Sequence, residues 1–448
     1  MIHKKSFRGN VDWYLEQFRK SEHRLNGSAG GEIHKIRQNA IGNFSEKGYP
    51  TTRDEEWKYT NIRAIADINF VPAAAIEDLQ VDRNSLKINS FSDLACCQVT
   101  FVNGRYSSEL SDTASAPNGV KIMSIRIALN NNDPDLIRYL DRFTDGSGDS
   151  FTALNTAFLW DGIFIYIPDG KILEKPLSIR YHGQTDTEPL LNMPRNLIVL
   201  GTNSQASLIE TYSGTGDKPY LTNTVGEVIL GENAGLEHIK LQVESENAYH
   251  ISNVRISQQR DSRYTSNAFT FGGALIRNNI SLTMEDQGVV SALNGLYVGT
   301  GNQLIDNHTT IDHAKPNCHS EELYKGVLDG HAHGVFGGKI FVRPDAQKTN
   351  AIQSNNCILL SESATIDTKP QLEIFADDVR CTHGATVGQL NEDAFFYMRS
   401  RGIDRFRARQ LMIYAFANQV IDRISLEPVR EKLMTVLADK LHTARPGK

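Results

Sequence analysis

Residues 343–388 read RPDAQKTNAIQSNNCILLSESATIDTKPQLEIFADDVRCTHGATVG, and residues 391–403 follow as NEDAFFYMRSRGI. The first stretch holds short β-prone runs at 358–360 and 371–375, separated by polar and small residues. The second switches to helical spacing, so a β region ends here and a helical one begins. Cys381 and His383 stand two apart just before that switch. In a strand, residues i and i+2 share a face and lie roughly 7 Å apart. A thiol and an imidazole so placed can both reach one metal ion or one partner surface. Val379, Ala385 and Val387 share their parity. That equally allows two ordinary core residues, because free cysteine is often plain core.

Upstream, from about residue 94 to 388, similar runs recur, among them 98–102, 164–167, 196–200, 206–212, 227–230, 239–243, 281–284 and 293–298. Gly, Asn and Asp punctuate them, and Asn103-Gly104 is a strong hairpin signal. No long amphipathic helix interrupts the series, which argues against an alternating βα sheet. Roughly 300 residues of short strands is large for one sandwich or barrel. A parallel solenoid extends its core by stacking coils, with turns and the Asn278-Asn279 and Asn355-Asn356 steps expected at its corners. No strict repeat of fixed period is visible.

Helices are expected on both sides. Asn10 can cap a helix carrying Val11, Tyr14, Leu15 and Phe18, and Ile33, Ile36, Ala40 and Phe44 repeat the spacing before Gly48-Tyr49-Pro50. Segment 51–62, TTRDEEWKYTNI, places Thr52 as a cap and Trp57 as an anchor against a neighbouring domain. A polar connection over about 71–93 leads into the β region. After residue 389, Asn391 and Asp404 cap two helices separated by Gly402, and Pro428 lies near the start of a third. The expected domains are therefore 1–93 (helical, with the connection), 94–388 (β core) and 389–448 (helical). Arg399, Arg401, Arg405, Arg407 and Arg409 cluster on the first two of those last helices. They read either as a solvated face or as a docking surface for an acidic partner.

Of 448 residues, 40% are hydrophobic and 22% charged, with net charge −6. That balance gives no support for nucleic-acid binding, and no apolar run reaches the 18 or so residues of a membrane span. The opening MIHKKSFRGNVDW has basic groups without an apolar stretch after them, so a soluble, cytoplasmic protein is expected. Cys96, Cys97, Cys318, Cys357 and Cys381 are odd in number and scattered, unlike a disulfide framework. No Cys-x-x-Cys occurs, so any cluster or metal handled here would share its ligands with another chain. His308, His313, His319, His331 and His333 fall close together but match no ligand spacing.

Asp377-Asp378 suggests a sugar-cleaving acid pair in a β-solenoid, yet adjacent strand residues face opposite ways, which favours a face-switching turn. Activation of Cys381 as a nucleophile by His383 lacks a third group to orient the imidazole. No G-x-x-x-x-G-K-[ST] occurs, so any ATP chemistry must come from another subunit.

The run TKPQLEIFADDVRCTHGATVG, followed by FYMRSRGI, resembles the signature of the SufD family of iron–sulfur cluster assembly scaffolds. RDEEWKYTNI at 53–62, LNTAFLWDGIFIYIPDG at 154–170 and SEELYKGVLDG at 320–330 agree with it. The resemblance covers the chain from its N-terminal to its C-terminal helices. It implies a mainly β protein, a right-handed parallel β-helix core flanked by N-terminal and C-terminal α-helical domains. It implies a non-enzymatic subunit that pairs with the homologous SufB, binds the ABC-type ATPase SufC through its C-terminal helices, and shares a transient iron–sulfur cluster. A homodimer of the isolated chain is a further possibility. It also places Cys381 and His383 at the SufB interface, His383 in nascent cluster assembly and Cys381 as an interface thiol able to bind metal. The family varies at His331 and His333, so neither takes a role from the resemblance.

Overall fold

The computed structural model describes residues 7–26, 31–73, 91, 94, 97–140 and 149–443. Cys96 and most of the expected 71–93 connection lie outside the described residues. Among them the chain is a parallel β-solenoid of about eight coils carrying helices at both ends of the sequence. Each coil contributes one strand to each of two sheets. One sheet runs from Gly162–Ile167 through Arg195–Leu200, Tyr220–Leu230, Ala248–Gln258, Leu275–Met284, Leu304–His313 and His333–Val342 to Thr365–Ile374. The other runs from Cys97–Val102 through Leu177–Gln184, Gln205–Thr215, Gly235–Val243, Arg263–Thr270, Val290–Gly299, His319–Leu328 and Asn350–Leu359 to Arg380–Gly388. Pairing is parallel and in register: His319 with Asn350, and Asn350 with Arg380.

Coils repeat at about 30 residues, as the Asn356–Thr386 hydrogen bond between neighbouring coils shows. Two features hide this period in the sequence. Coil lengths differ by a few residues, and the lumen is only partly apolar. Leu208, Leu236, Leu282, Ile311 and Phe336 fill it in the expected way, at roughly 0.8 kcal/mol per buried methylene. Beside them lie charged groups: His238 bonds Glu210 at 2.8 Å, and His250 bonds Glu244 at 2.8 Å. Lys240 donates to Ser252 at 2.9 Å and Asn278 at 3.0 Å. Burial pulls the Lys240 ammonium down to about 8. Inward charges break the apolar alternation, so strands of 8 to 11 residues look like fragments of three to seven.

The Asn steps are not corners. Asn278 points inward and donates to Gln242 at 2.9 Å, and Asn279 points outward to Asn253 at 2.8 Å. Asn355 likewise bonds Thr368 at 3.0 Å inside, while Asn356 accepts from Thr386 at 2.6 Å outside. They form ladders within strands, because in-register stacking brings amide over amide. Short helices at Ile125–Asn130, Pro134–Tyr139 and Ser150–Ala157, unforeseen in the sequence, precede the second coil.

The helices cover the outer faces of the sheets. Val11–Asn26, Glu32–Lys47 and Ser150–Ala157 bury Tyr14, Phe44 and Leu154 against Leu191, Leu221 and Ile251. Trp57 stacks on Phe151 at 5.6 Å and lies 3.9 Å from the Arg277 guanidinium, the anchoring role expected of it. Thr51 and Asp54, not Thr52, hold that segment's turn, through the Thr51 amide and Asp54 Oδ2 at 2.8 Å. Arg405–Ile421 and Glu427–Thr443 bury Ile413, Val420, Leu433 and Leu437 against Leu241, Phe269 and Leu296 of the second sheet. Asn391 and Asp404 act as caps, accepting from Ala394 at 2.8 Å and Arg407 at 3.0 Å. Gly402 supplies the φ of +83° between the two helices.

Candidate functional site at the open end of the solenoid

The two ends of the solenoid differ. At the start, antiparallel strands Arg105–Tyr106 and Lys121–Ser124 pair with the first strand of each sheet and close its edge. At the far end no strand among the described residues pairs with the outer edge of Thr365–Ile374 or Arg380–Gly388. Their side chains are exposed or half-buried, whereas one coil earlier Ala351, Gln353, Asn355 and Cys357 are buried. Register extends that inner column to Cys381, His383, Ala385 and Val387. The thiol and imidazole therefore face inward along the axis of the lumen, yet meet solvent because theirs is the last coil.

Cys381 is half-buried beside Ala351, Ala376 and Val379. Burial raises its thiol above the ordinary cysteine value, and a backbone contact to Ala351 opposes that. His383 is exposed. Beneath it in register lie Gln353 and Glu322, each 1% exposed, joined by a 2.6 Å hydrogen bond from Gln353 Nε2 to Glu322 Oε2. The sequence reading missed this pair. An Asn-x-x-Gln run in a strand carries no signal until the register is known.

The two edges are not equivalent. Arg380 donates its amide to Thr349 O at 2.9 Å, so even-numbered residues of Arg380–Gly388 bond the preceding strand. Alternate residues point their amides the other way. The amides of Cys381, His383, Ala385 and Val387 thus face the free edge. In Thr365–Ile374 the Thr365 amide bonds Ala332 O at 3.0 Å, so the even residues face outward there. Pro370 occupies one of those outward positions and has no N–H to offer, a common blunting of an edge. The edge carrying Cys381 and His383 remains competent to accept a strand. Ile374, Phe375 and Val387 at the last two strands, and Phe396 and Tyr397 on the helix that follows, are exposed apolar groups, a kind of surface that marks interaction sites.

The arginines divide. Arg399 bonds Ile403 O at 3.1 Å within its own helix terminus, and Arg401 lies over the Tyr397 ring at 5.1 Å; both are exposed. Arg409 bonds Asp329 at 2.8 Å and fastens its helix to the solenoid. Arg405 and Arg409 line a cleft of about 240 Å³ with Leu390, Glu392 and Phe395.

The histidines are used locally. His308 pairs with Asp306 at 3.0 Å and Glu56 at 3.3 Å, and His333 with Asp367 at 2.8 Å. Buried His313 bonds Ser320 at 2.9 Å. Among the described residues no group of three or more His, Cys, Asp or Glu is placed to hold a metal ion. Asp377 and Asp378 lie in a bend between the last two strands, the turn expected of them, with Asp378 bound to Lys348 at 2.6 Å.

Glu322 and His313 make the lumen pH-sensitive. Burial pushes the Glu322 carboxyl from 4.5 up to about 7, so the fold loses stability as pH rises across that interval. Burial pulls His313 from 6.5 down to about 4, so the fold loses stability as pH falls from 6.5. Glu322→Gln is expected to raise urea stability by roughly 3 kcal/mol above pH 7 and to have little effect near pH 4. An equal effect at both pH values would refute the assignment.

A model of the SufBD core domain of the SUF iron–sulfur assembly system matches residues 182–416, and one of the SufBD N-terminal region matches residues 10–179. The chain belongs to the SufBD family. A SufBD family protein of Synechocystis is 33% identical over 423 residues, covering 92% of each chain. SufD of Escherichia coli is 30% identical over 94% of this chain and 96% of its own. The chloroplastic ABCI7 protein of Arabidopsis thaliana is 30% identical over 89% and 84%. Membership assigns this SufBD protein a scaffold-type role in iron–sulfur cluster assembly, on the parallel solenoid described above. Among the described residues no helix is long and apolar enough to cross a membrane.

Proposed function

We propose that this SufBD protein is the non-catalytic half of a cluster-building interface, pairing through its open end with a SufB homologue. The observation that carries the reading is the uncovered last coil, with Cys381 and His383 on its inner face beside a strand-accepting edge. A homologous solenoid placed end to end would bury the thiol and imidazole between two lumens. The partner supplies the principal cluster thiolates, and the nascent iron–sulfur cluster is cargo shared across the joint. His383 takes part in its assembly; Cys381 supports the interface and can bind metal. The C-terminal helices, with exposed Arg399, Arg401 and Arg405 beside the Arg409 cleft, receive the SufC ATPase. In the isolated chain the same edge can pair with a second copy.

The test is anaerobic co-expression with SufB and SufC homologues. His383→Ala is expected to leave the complex intact and lower its iron–sulfur absorbance about tenfold or more. Failure of the wild-type chain to co-purify with both partners, or full absorbance in the variant, overturns the reading.

A further inference from the structure

Gln353 holds its amide between a buried carboxylate and the open end of the lumen. Its nitrogen donates to Glu322 Oε2 at 2.6 Å. Its oxygen, Oε1, is buried and has no hydrogen-bond partner among the described residues, a state that normally costs about 1–3 kcal/mol. Next in register beyond it is His383. Paired residues of neighbouring parallel strands lie roughly 4.8 Å apart and point the same way, so His383 is the residue whose side chain can reach the amide from the last coil. Room for that amide is built into the opposite sheet. A Cβ at Gly338 would fall 2.3 Å from Gln353 Nε2, so any larger residue would displace it. Above about pH 7 the Glu322 carboxyl is ionised and only accepts hydrogen bonds. Glu322 therefore fixes which end of the amide faces inward and leaves the oxygen for a donor in the last coil.

We infer that Gln353, oriented by Glu322, is the positioning residue of His383: its Oε1 accepts the imidazole N–H and turns the other ring nitrogen toward the covering partner. An imidazole's working nitrogen is commonly set by the hydrogen bond its other nitrogen makes. A lone acceptor at fixed height above a buried carboxylate is well suited to this, since it selects one tautomer. The inference rests on the role proposed for His383, but its first readout does not depend on cluster assembly.

That readout is long-range proton–nitrogen NMR of the full chain at alkaline pH, with the His383 signals assigned by their loss in His383→Ala. Wild type is expected to show one dominant tautomer at His383. Gln353→Leu should return it to the mixture of a free imidazole. Glu322→Leu should do the same by releasing the amide, and serves alone if Gln353→Leu does not fold. Glu322→Gln keeps an acceptor for Gln353 Nε2 and should retain the wild-type spectrum. In the assembled complex both leucine variants should load cluster about tenfold more slowly. Unchanged tautomers in the leucine variants, or a Glu322→Gln spectrum like that of Glu322→Leu, overturn the inference. A tautomer change without slower loading upholds the contact and refutes the role given to His383.

Discussion

Ala385→Pro is expected to weaken pairing through the open end by about 10- to 100-fold while leaving the isolated chain folded. The direction of each amide in the last strand decides this. Arg380 N–H bonds Thr349 O, so residues of even number hold the native ladder and residues of odd number face outward. Proline at 385 removes an outward N–H and puts a ring where an incoming strand must approach. A lost hydrogen bond with an orphaned partner carbonyl costs about 1–3 kcal/mol, close to the stated range in affinity. The native chain already tolerates proline at an outward-facing position of the other edge, Pro370. The control is Thr386→Pro, which removes an inward ladder bond and the Thr386–Asn356 contact and should lower the melting temperature instead. Sedimentation of the chain with its partner, alongside thermal melts, separates the two effects. Equal pairing by wild type and Ala385→Pro would show that the joint does not use this edge.

What could be read from the sequence follows from which interactions are local. Caps at Asn391 and Asp404 and Gly402 between two helices lie within a few residues of what they act on, and the structure has them as read. Trp57 was legible as an anchor because a large aromatic side chain in a polar segment needs burial. The partner ring, Phe151, was not, since it comes from a helix 94 residues further on whose apolar pattern spans only eight positions. The coil period was hidden for a different reason. A solenoid needs only that residues stacked across coils suit one another, not that they be alike. Leu293, Glu322, Gln353 and His383 make one inner column and share no chemistry. The sequence placed Cys381 and His383 on one face but left open whether that face was core or surface. Both hold: it is the core face of the last coil. Only the ending of the solenoid at Gly388 makes it a surface.

The largest loss of stability is expected at the other end, from Glu227→Ala. Arg195 and Glu227 pair at 2.5 Å on the outer face of the first sheet, and neither side chain is more than 1% exposed. Arg195 also donates to Thr156 at 3.2 Å, so the pair joins the sheet to the Ser150–Ala157 helix. Removing one member of such a pair strands a charge away from water, at about 3–5 kcal/mol. Replacing both by leucine, which leaves no charge behind, should cost much less and can come out near neutral. Urea unfolding of the two variants distinguishes a net-stabilising bridge from one that only punishes its own breakage. Trp57 fluorescence gives a local signal, because its stacking partner Phe151 rides on the same helix. The N-terminal layer should loosen at lower urea than the remaining coils in Glu227→Ala. Partner pairing at the Arg380–Gly388 edge should persist through that loosening, since parallel coils transmit strain mainly to their neighbours. A variant that unfolds in one step, losing pairing and Trp57 burial together, would show the solenoid and its helical layer to be a single cooperative unit.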